Sequence, residues 1–336
     1  MKQVAITGPK TAALLDVPDP SPKENWVVVR ITVAPMCTEY KMWVGGHKAD
    51  FLGHEAVGEV VGVAQPGRVK IGDRVVVQPS YPCGACTLCI AGDYIHCEHG
   101  VDLAAFTGSP YGTATYAEYL IKPDWLCSPI PDDFTDDQAG LALCALGPSF
   151  GAFETAGVTA FHTVLICGLG PVGLGGVVNA VYRGARVIGV ESNAYRAALA
   201  LRLGAEAVLD PGLEDLGARI RDLTDGRGVD VGLDCSGSTA AHRVLIDAAA
   251  RKGAVMFVGE SNGDTIVHIS PDMIRKGLRL VGSWHYNRSL YPRLLQVIRR
   301  SCAAGELVTH TFPLANVQEA FSTLAGQQTG KVLLRP

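Results

Sequence analysis

The tightest constraint on the fold is a loop of four thiols, Cys83-Gly84-Ala85-Cys86-Thr87-Leu88-Cys89 followed by Cys97. The spacings, two residues, two residues and then seven, gather four soft ligands into fifteen positions. Four thiolates on so short a loop match the closed tetrahedral shell of a structural zinc ion. Disulfides fit less well, because they belong to oxidising compartments and to small scaffolds short of core. The usual spacings of iron–sulfur clusters differ as well. Three more residues of ligand type, Cys37, His54 and Cys144, lie outside the loop. A closed site beside a second, less saturated ligand set points towards a zinc enzyme.

At 336 residues the chain is long enough for two domains of ordinary size. It is 48% hydrophobic and 18% charged, below the usual charged share of roughly 25%, which fits a well-buried α/β protein. A net charge of -4 gives no electrostatic case for nucleic acid or an anionic membrane. The opening Met1-Lys2-Gln3-Val4-Ala5-Ile6 reads as a strand and not as the apolar part of a secretory signal. The expectation is a cytoplasmic protein. His162 to Tyr182 carries no Lys, Arg, Asp or Glu and is long enough to suggest a membrane span. Its five glycines and one proline argue instead for a strand, a glycine turn and a helix.

Residues 1 to about 150 read as short strands with Gly and Pro punctuation, among them Trp26 to Val33, Val57 to Val63 and Asp73 to Val77. From about residue 160 the pattern changes. Buried strands at Val164-Leu165-Ile166, Arg186 to Val190, Ala207 to Leu209, Val229 to Leu233 and Ala254 to Val258 alternate with helical stretches such as Ala194 to Leu203. That alternation predicts a doubly wound parallel sheet ending near Leu278 to Ser283. The expected division is a mostly β domain over 1–150, with the cysteine lobe at about 80–100. A nucleotide-binding domain over 151–287 and a return to the first domain over 288–336 complete it.

Gly168-Leu169-Gly170-Pro171-Val172-Gly173 closes the first strand of that sheet and opens a helix. Gly168 permits the turn, Gly170 lets the backbone approach a pyrophosphate, and Gly173 lets helix and sheet pack closely. Pro171 falls at the start of the helix, where a missing N–H costs little. Glu191 ends the second strand eighteen residues after Gly173. A carboxylate there can bond the adenosine ribose hydroxyls and repel a 2′-phosphate, so NAD is favoured over NADP. Arg196, nearby, is the residue that could instead reach towards a phosphate.

Taken together, Gly53-His54-Glu55, the four-cysteine loop and the glycine fingerprint resemble the zinc-dependent medium-chain dehydrogenases, the alcohol, threonine and sorbitol dehydrogenase superfamily. The resemblance covers essentially the whole chain. It implies a GroES-like catalytic domain joined to a Rossmann-type domain, two zinc ions per chain, NAD, a small-molecule alcohol as substrate and a dimer or tetramer. It also implies that Cys37, His54 and Cys144 hold the catalytic zinc, with Glu55 in or just outside the shell. In the family a Gly, a Ser or Thr and an Asp follow the first ligand. Here the chain reads Cys37-Thr38-Glu39-Tyr40. With one residue missing, Thr38 replaces the proton-relay hydroxyl and Glu39 the acid; with none missing, Glu39 occupies the relay position. Bare readings stay beside these, since Cys37 and Cys144 are also what buried core thiols look like.

The implied reaction is oxidation of an alcohol with hydride transfer to NAD, zinc acting as Lewis acid. The expected substrate is a secondary alcohol on a polyol, sugar-like or aminocyclitol molecule. It rests on polar residues at Glu39, Tyr40, Lys41, Trp43, His47, Glu260, Trp284 and His285, and on Gly282-Ser283-Trp284-His285-Tyr286, which resembles the matching tract of polyol dehydrogenases. The alternatives are a dehydrogenase of simple primary or secondary alcohols, a zinc-independent reductase of the same fold, and a non-catalytic sensor. The reductase predicts missing catalytic ligands, whereas Cys37, His54 and Cys144 are all present.

Overall fold

The computed structural model describes all residues, Met1–Pro336. The chain folds as two units. The first comprises Met1–Leu143, Asn287–Leu295 and Val308–Pro336, and the second Cys144–Tyr286 and Gln296–Leu307.

The first unit is mostly strand. A hairpin joins β1 (Lys2–Gly8) to β2 (Thr11–Asp16). The main sheet is built on β3 (Trp26–Pro35), β4 (Ala56–Gly62), β5 (Arg74–Val77), β6 (Tyr119–Pro123) and β7 (Cys127–Pro129). β3 is the hub, pairing antiparallel with β4 and with β6. Its far end also pairs with the strand Lys331–Arg335, so residues late in the chain complete a sheet begun near its start. Valines at 29, 60, 75 and 77 and Leu120 are buried to 1% exposure or less. Phe321, from the helix Val317–Ala325, is buried with them. β-branched side chains are stiff and pack well on a pleated surface, which is why these runs read as strands.

The second unit carries a six-stranded parallel sheet of β8 (Thr163–Cys167), β9 (Arg186–Val190), β10 (Ala207–Leu209), β11 (Val229–Asp234), β12 (Ala249–Phe257) and β13 (Arg279–Gly282). The spatial order is β10-β9-β8-β11-β12-β13. Helices α1 (Pro171–Tyr182), α2 (Ala194–Arg202), α3 (Leu216–Leu223) and α4 (Thr239–Ala248) lie between successive strands in sequence. The order reverses between β8 and β11, and in open sheets ligands bind beyond the carboxyl ends of strands at such a point. The apolar run from His162 divides into β8 and α1, and no helix is long and apolar enough to cross a membrane.

A dinucleotide loop and two thiol-bearing clusters

The loop after β8 shows why its residues are glycines. Gly168 has φ +84, and a Cβ there would lie 2.8 Å from the Cβ of Ser236, just past β11. The two loop ends at the switch point therefore touch. A Cβ at Gly173 would lie 1.9 Å from the carbonyl oxygen of Gly168, so α1 can pack this closely only without a side chain. Gly170 differs, since a Cβ would meet nothing nearer than the Arg196 guanidinium at 4.0 Å. Its open face is the one a pyrophosphate would fill, at the positive end of α1. Pro171 is the first residue of α1 and Val172 the next. Glu191 accepts from the backbone N–H of Leu169 at 2.6 Å and of Asn193 at 2.9 Å, which ties the acid to the loop. Arg196 is buried on α2.

Cys83, Cys86, Cys89 and Cys97 bring their sulfurs within 4.8 Å of one another. Backbone amides point at them. Ala85 and Cys86 donate to Cys83 Sγ at 3.5 and 3.4 Å, and Cys83 donates to Cys97 Sγ at 3.3 Å. Amide donors favour thiolate, and they hold the Cys83 thiol down at about 6. Burial pushes Cys89 the other way. The lobe has its own small core, in which Cys89, Tyr94, Ile95 and Leu126 are buried and Trp125 meets Tyr94 edge-on at 6.0 Å. A donor set of four convergent sulfurs fits a tetrahedral dication.

The second cluster forms where β3 ends and β4 begins. Cys37 follows β3, and His54 and Glu55 precede β4. Gly53 has φ +83, and a Cβ there would sit 2.3 Å from Thr115 Oγ1 and 2.5 Å from the Tyr116 ring. Only glycine lets the chain pass here and turn His54 inward. One ligand atom each from Cys37, His54, Glu55 and Cys144 lies within 4.8 Å of the others. Cys144 is the residue at which the second unit begins, one peptide bond beyond Leu143. Two sulfurs, an imidazole nitrogen and a carboxylate oxygen are a donor set that fits zinc.

The surroundings of His54 place Thr38 and Glu39 differently. Glu39 is buried, and its Oε1 lies 2.8 Å from His54 Nδ1. Its Oε2 accepts from the Tyr116 hydroxyl at 2.9 Å and from the Cys37 N–H at 3.2 Å. Burial works against its ionisation, but the bonds and charge of His54 and the Tyr116 bond outweigh it and hold the carboxyl below its ordinary value. Glu39 is thus engaged by His54, Tyr116 and Cys37, whereas Thr38 is exposed. Burial would lower His54, yet its contacts with Cys37 and Glu39 and the charge of Glu55 raise it to about 11. Metal binding there would release that proton.

Two neighbours gave no local signal in the sequence. Tyr116 stands 77 positions from Glu39, and Lys331 stands 276 positions from Glu55. Lys331 Nζ donates to Glu55 Oε1 at 2.6 Å, with both side chains at most 1% exposed. Burial pushes Glu55 up to about 7, against the pull of the Lys331 charge.

The polar residues expected around the substrate separate into groups. Trp43 is buried, stacks on Phe321 with ring centroids 5.8 Å apart and donates to Gln318 at 3.3 Å, so it belongs to the core of the first unit. Its indole reads as polar, but its area decides its place. His285 is also buried, with φ +61 and its ring stacked on Tyr286 at 4.7 Å. Lys41, His47, Glu260 and Trp284 are exposed.

A parallel sheet with a glycine cradle at its switch point and a Cys–His–Cys donor set, carried on one chain, are the features of a metal- and dinucleotide-dependent class of oxidoreductases. Residues 23–132 match the alcohol dehydrogenase GroES-like domain, and residues 171–300 match the zinc-binding dehydrogenase domain. An L-threonine 3-dehydrogenase of Chromobacterium violaceum is 30% identical over 340 residues, spanning 96% of this chain and 95% of that protein. The 2R,3R-butanediol dehydrogenase of Bacillus subtilis superposes with a TM-score of 0.85 at 25% identity, covering 100% of this chain and 99% of that one. The alcohol dehydrogenase TADH of Thermus sp. ATN1 shares the fold, with a TM-score of 0.90, 23% identity and full coverage of both chains. The chain belongs to the zinc-dependent medium-chain dehydrogenase/reductases, enzymes acting on CH–OH groups.

Proposed function

We propose that the chain oxidises a secondary alcohol that carries a second polar group beside the reacting carbon, using NAD and one catalytic zinc, with a second zinc in the four-cysteine lobe. The observation that carries this reading is the convergence of Cys37, His54, Glu55 and Cys144 donors within 4.8 Å. When bound, zinc supplies Lewis acidity at the substrate oxygen and the nicotinamide accepts hydride. Cys37, His54 and Cys144 would hold the metal, and Glu39 keeps His54 in the tautomer that presents Nε2. Glu55, tied to Lys331, stands as a reserve ligand. Thr38 is the hydroxyl free to carry the released proton outward, because Glu39 is already engaged by His54, Tyr116 and Cys37. Glu191 favours NAD by facing the ribose hydroxyls with a carboxylate.

The substrate class takes support from two directions. The threonine and butanediol dehydrogenases named above act, by name, on molecules whose secondary hydroxyl neighbours an amine or a second hydroxyl. The exposed Lys41, His47 and Glu260 offer charged and polar side chains that could exchange a water for the second polar group of such a substrate. The polyol, sugar-like and aminocyclitol substrates all fall within this class.

The test is kcat/KM with NAD across L-threonine, 2,3-butanediol, a polyol, an aminocyclitol, ethanol, butanol and benzyl alcohol. A primary alcohol winning by about tenfold, about 1.4 kcal/mol of transition-state preference, would overturn the substrate reading. Glu191→Ala should relax discrimination against NADP. A wild-type enzyme that uses NADP better than NAD would shift the weight to Arg196.

A further inference from the structure

A cleft of about 400 Å³ opens between α3 and α4, at the amino ends of β11 and β12. The dinucleotide loop lies at the opposite, carboxyl end of the same sheet, a strand length of roughly 20 Å away. The cleft floor is apolar, formed by Leu216, Ile220 and Val244. The turn that closes one side is held by three residues of positive φ, Asp225 at +50, Gly226 at +74 and Gly228 at +85. A Cβ at Gly228 would lie 2.4 Å from the Ala248 carbonyl oxygen, so the turn is pressed against the end of α4.

The rim is cationic. Arg221, Arg227, Arg251 and Lys276 line it against a single acid, Asp247. That acid is already paired with Arg243, and Arg227 is paired with Asp230 at 2.7 Å. Three cations are left with no carboxylate partner. Arg251 reaches only the Arg275 carbonyl, at 2.6 Å. Lys276 reaches only the carbonyls of Ile246 and Asp247, at 2.8 and 3.0 Å. Burial lowers the Lys276 pKa; the Asp247 and Asp272 charges oppose this, and the nearby Arg243 and Arg251 charges lower it further. Like charges gathered over an apolar floor are costly alone and are relieved by an anion.

We propose that this cleft binds a small phosphate monoester with an apolar body, its phosphate held by Arg221, Arg251 and Lys276 and its body laid on Leu216, Ile220 and Val244. Guanidinium forks match phosphate oxygens in paired bonds. The volume lies within the range of small-molecule sites, roughly 300–1,000 Å³. The cleft is independent of which alcohol the enzyme oxidises.

Phenyl phosphate is the probe, titrated calorimetrically into the zinc-loaded full-length enzyme with and without saturating NAD. One saturable site is expected, undisturbed by NAD and tighter for phenyl phosphate than for inorganic phosphate by about fivefold. The double substitution Arg221→Gln and Arg251→Gln should weaken it about tenfold with melting temperature and turnover unchanged. Arg221→Gln alone, in an exposed side chain, serves if the double variant melts early. Absence of a saturable site, displacement by NAD, equal affinity for inorganic phosphate, or binding undiminished in the variants would each overturn the proposal.

Discussion

Tyr116 and Glu39 form a buried hydrogen bond of 2.9 Å that fixes the carboxylate holding His54. The tyrosine hydroxyl donates to one carboxylate oxygen while the other faces the imidazole. Removing the donor leaves Oε2 with the longer bond from the Cys37 N–H, at 3.2 Å, to hold it. Tyr116→Phe is therefore expected to lower kcat/KM about tenfold, within the 10–100-fold range of losses seen when groups behind a metal ligand are removed. Glu39→Gln should cost more, because it also changes the tautomer that His54 is held in. Equal turnover for wild type and Tyr116→Phe, with the fold intact by circular dichroism, would show that Glu39 needs no such support.

Metal content gives a second prediction. Analysis per subunit should find about two zinc equivalents. Cys86→Ser should remove one of them and lower the melting temperature, because a structural ion contributes folding free energy. Cys144→Ala should remove the other and abolish turnover while the lobe keeps its ion. A soluble Cys86→Ser protein that melts with wild type sinks the structural assignment.

Lys331 and Glu55 make a third. Their contact is fully desolvated, so deleting Lys331 removes the charge nearest to a buried Glu55. Lys331→Met is expected to destabilise by roughly 3–5 kcal/mol, and Lys331→Met with Glu55→Gln to recover most of that. Urea unfolding of the four members of this double-mutant cycle measures the coupling. A single variant within about 0.5 kcal/mol of wild type, the scatter of ordinary surface changes, would mean that Glu55 is buried uncharged.

Lys122 gives a pH signature. It is buried, donates to the Ser80 carbonyl at 2.6 Å and lies 3.9 Å over the Tyr81 ring. Burial lowers its pKa from 10.5 to about 7, against a small opposing pull from Cys127. The folded state therefore binds fewer protons than the unfolded state between those values. Below pH 7 both are protonated and the penalty is fully present; it is lifted as pH rises towards 10.5. Stability due to this group should climb by up to about 1.4 kcal/mol per pH unit in that window. Lys122→Met should lose the slope and be the more stable protein near neutral pH. Parallel stability–pH curves for the two proteins would refute it.

Local spacing carried most of what was legible in advance. Each of the four thiols lies within seven intervening residues of the next, and the glycine loop directly follows a strand, so chain geometry alone brings these groups together. Cys37, His54 and Cys144 are far apart in sequence and became visible only through the resemblance. Thr38 and Glu39 are not separated by the sequence, since both registers satisfy the spacing and the bond of Glu39 to His54 spans fifteen positions. Tyr116 and Lys331 were missed for the same reason, being brought in by β-sheet pairing over long separations. Trp43 was read from its polar atom, yet its ring is buried in the core.

The bond between Lys331 and Glu55 has a consequence for synthesis. Glu55 leaves the ribosome 276 residues before its counter-charge does. At roughly 5–20 residues per second, the carboxylate waits roughly 14 to 55 s for its partner. Throughout that interval β3 also lacks the neighbour supplied by Lys331–Arg335. Maturation of the Cys37–His54 pocket is thus tied to the release of the strand Lys331–Arg335, so nascent chains stalled before it lack the ammonium against which Glu55 is buried.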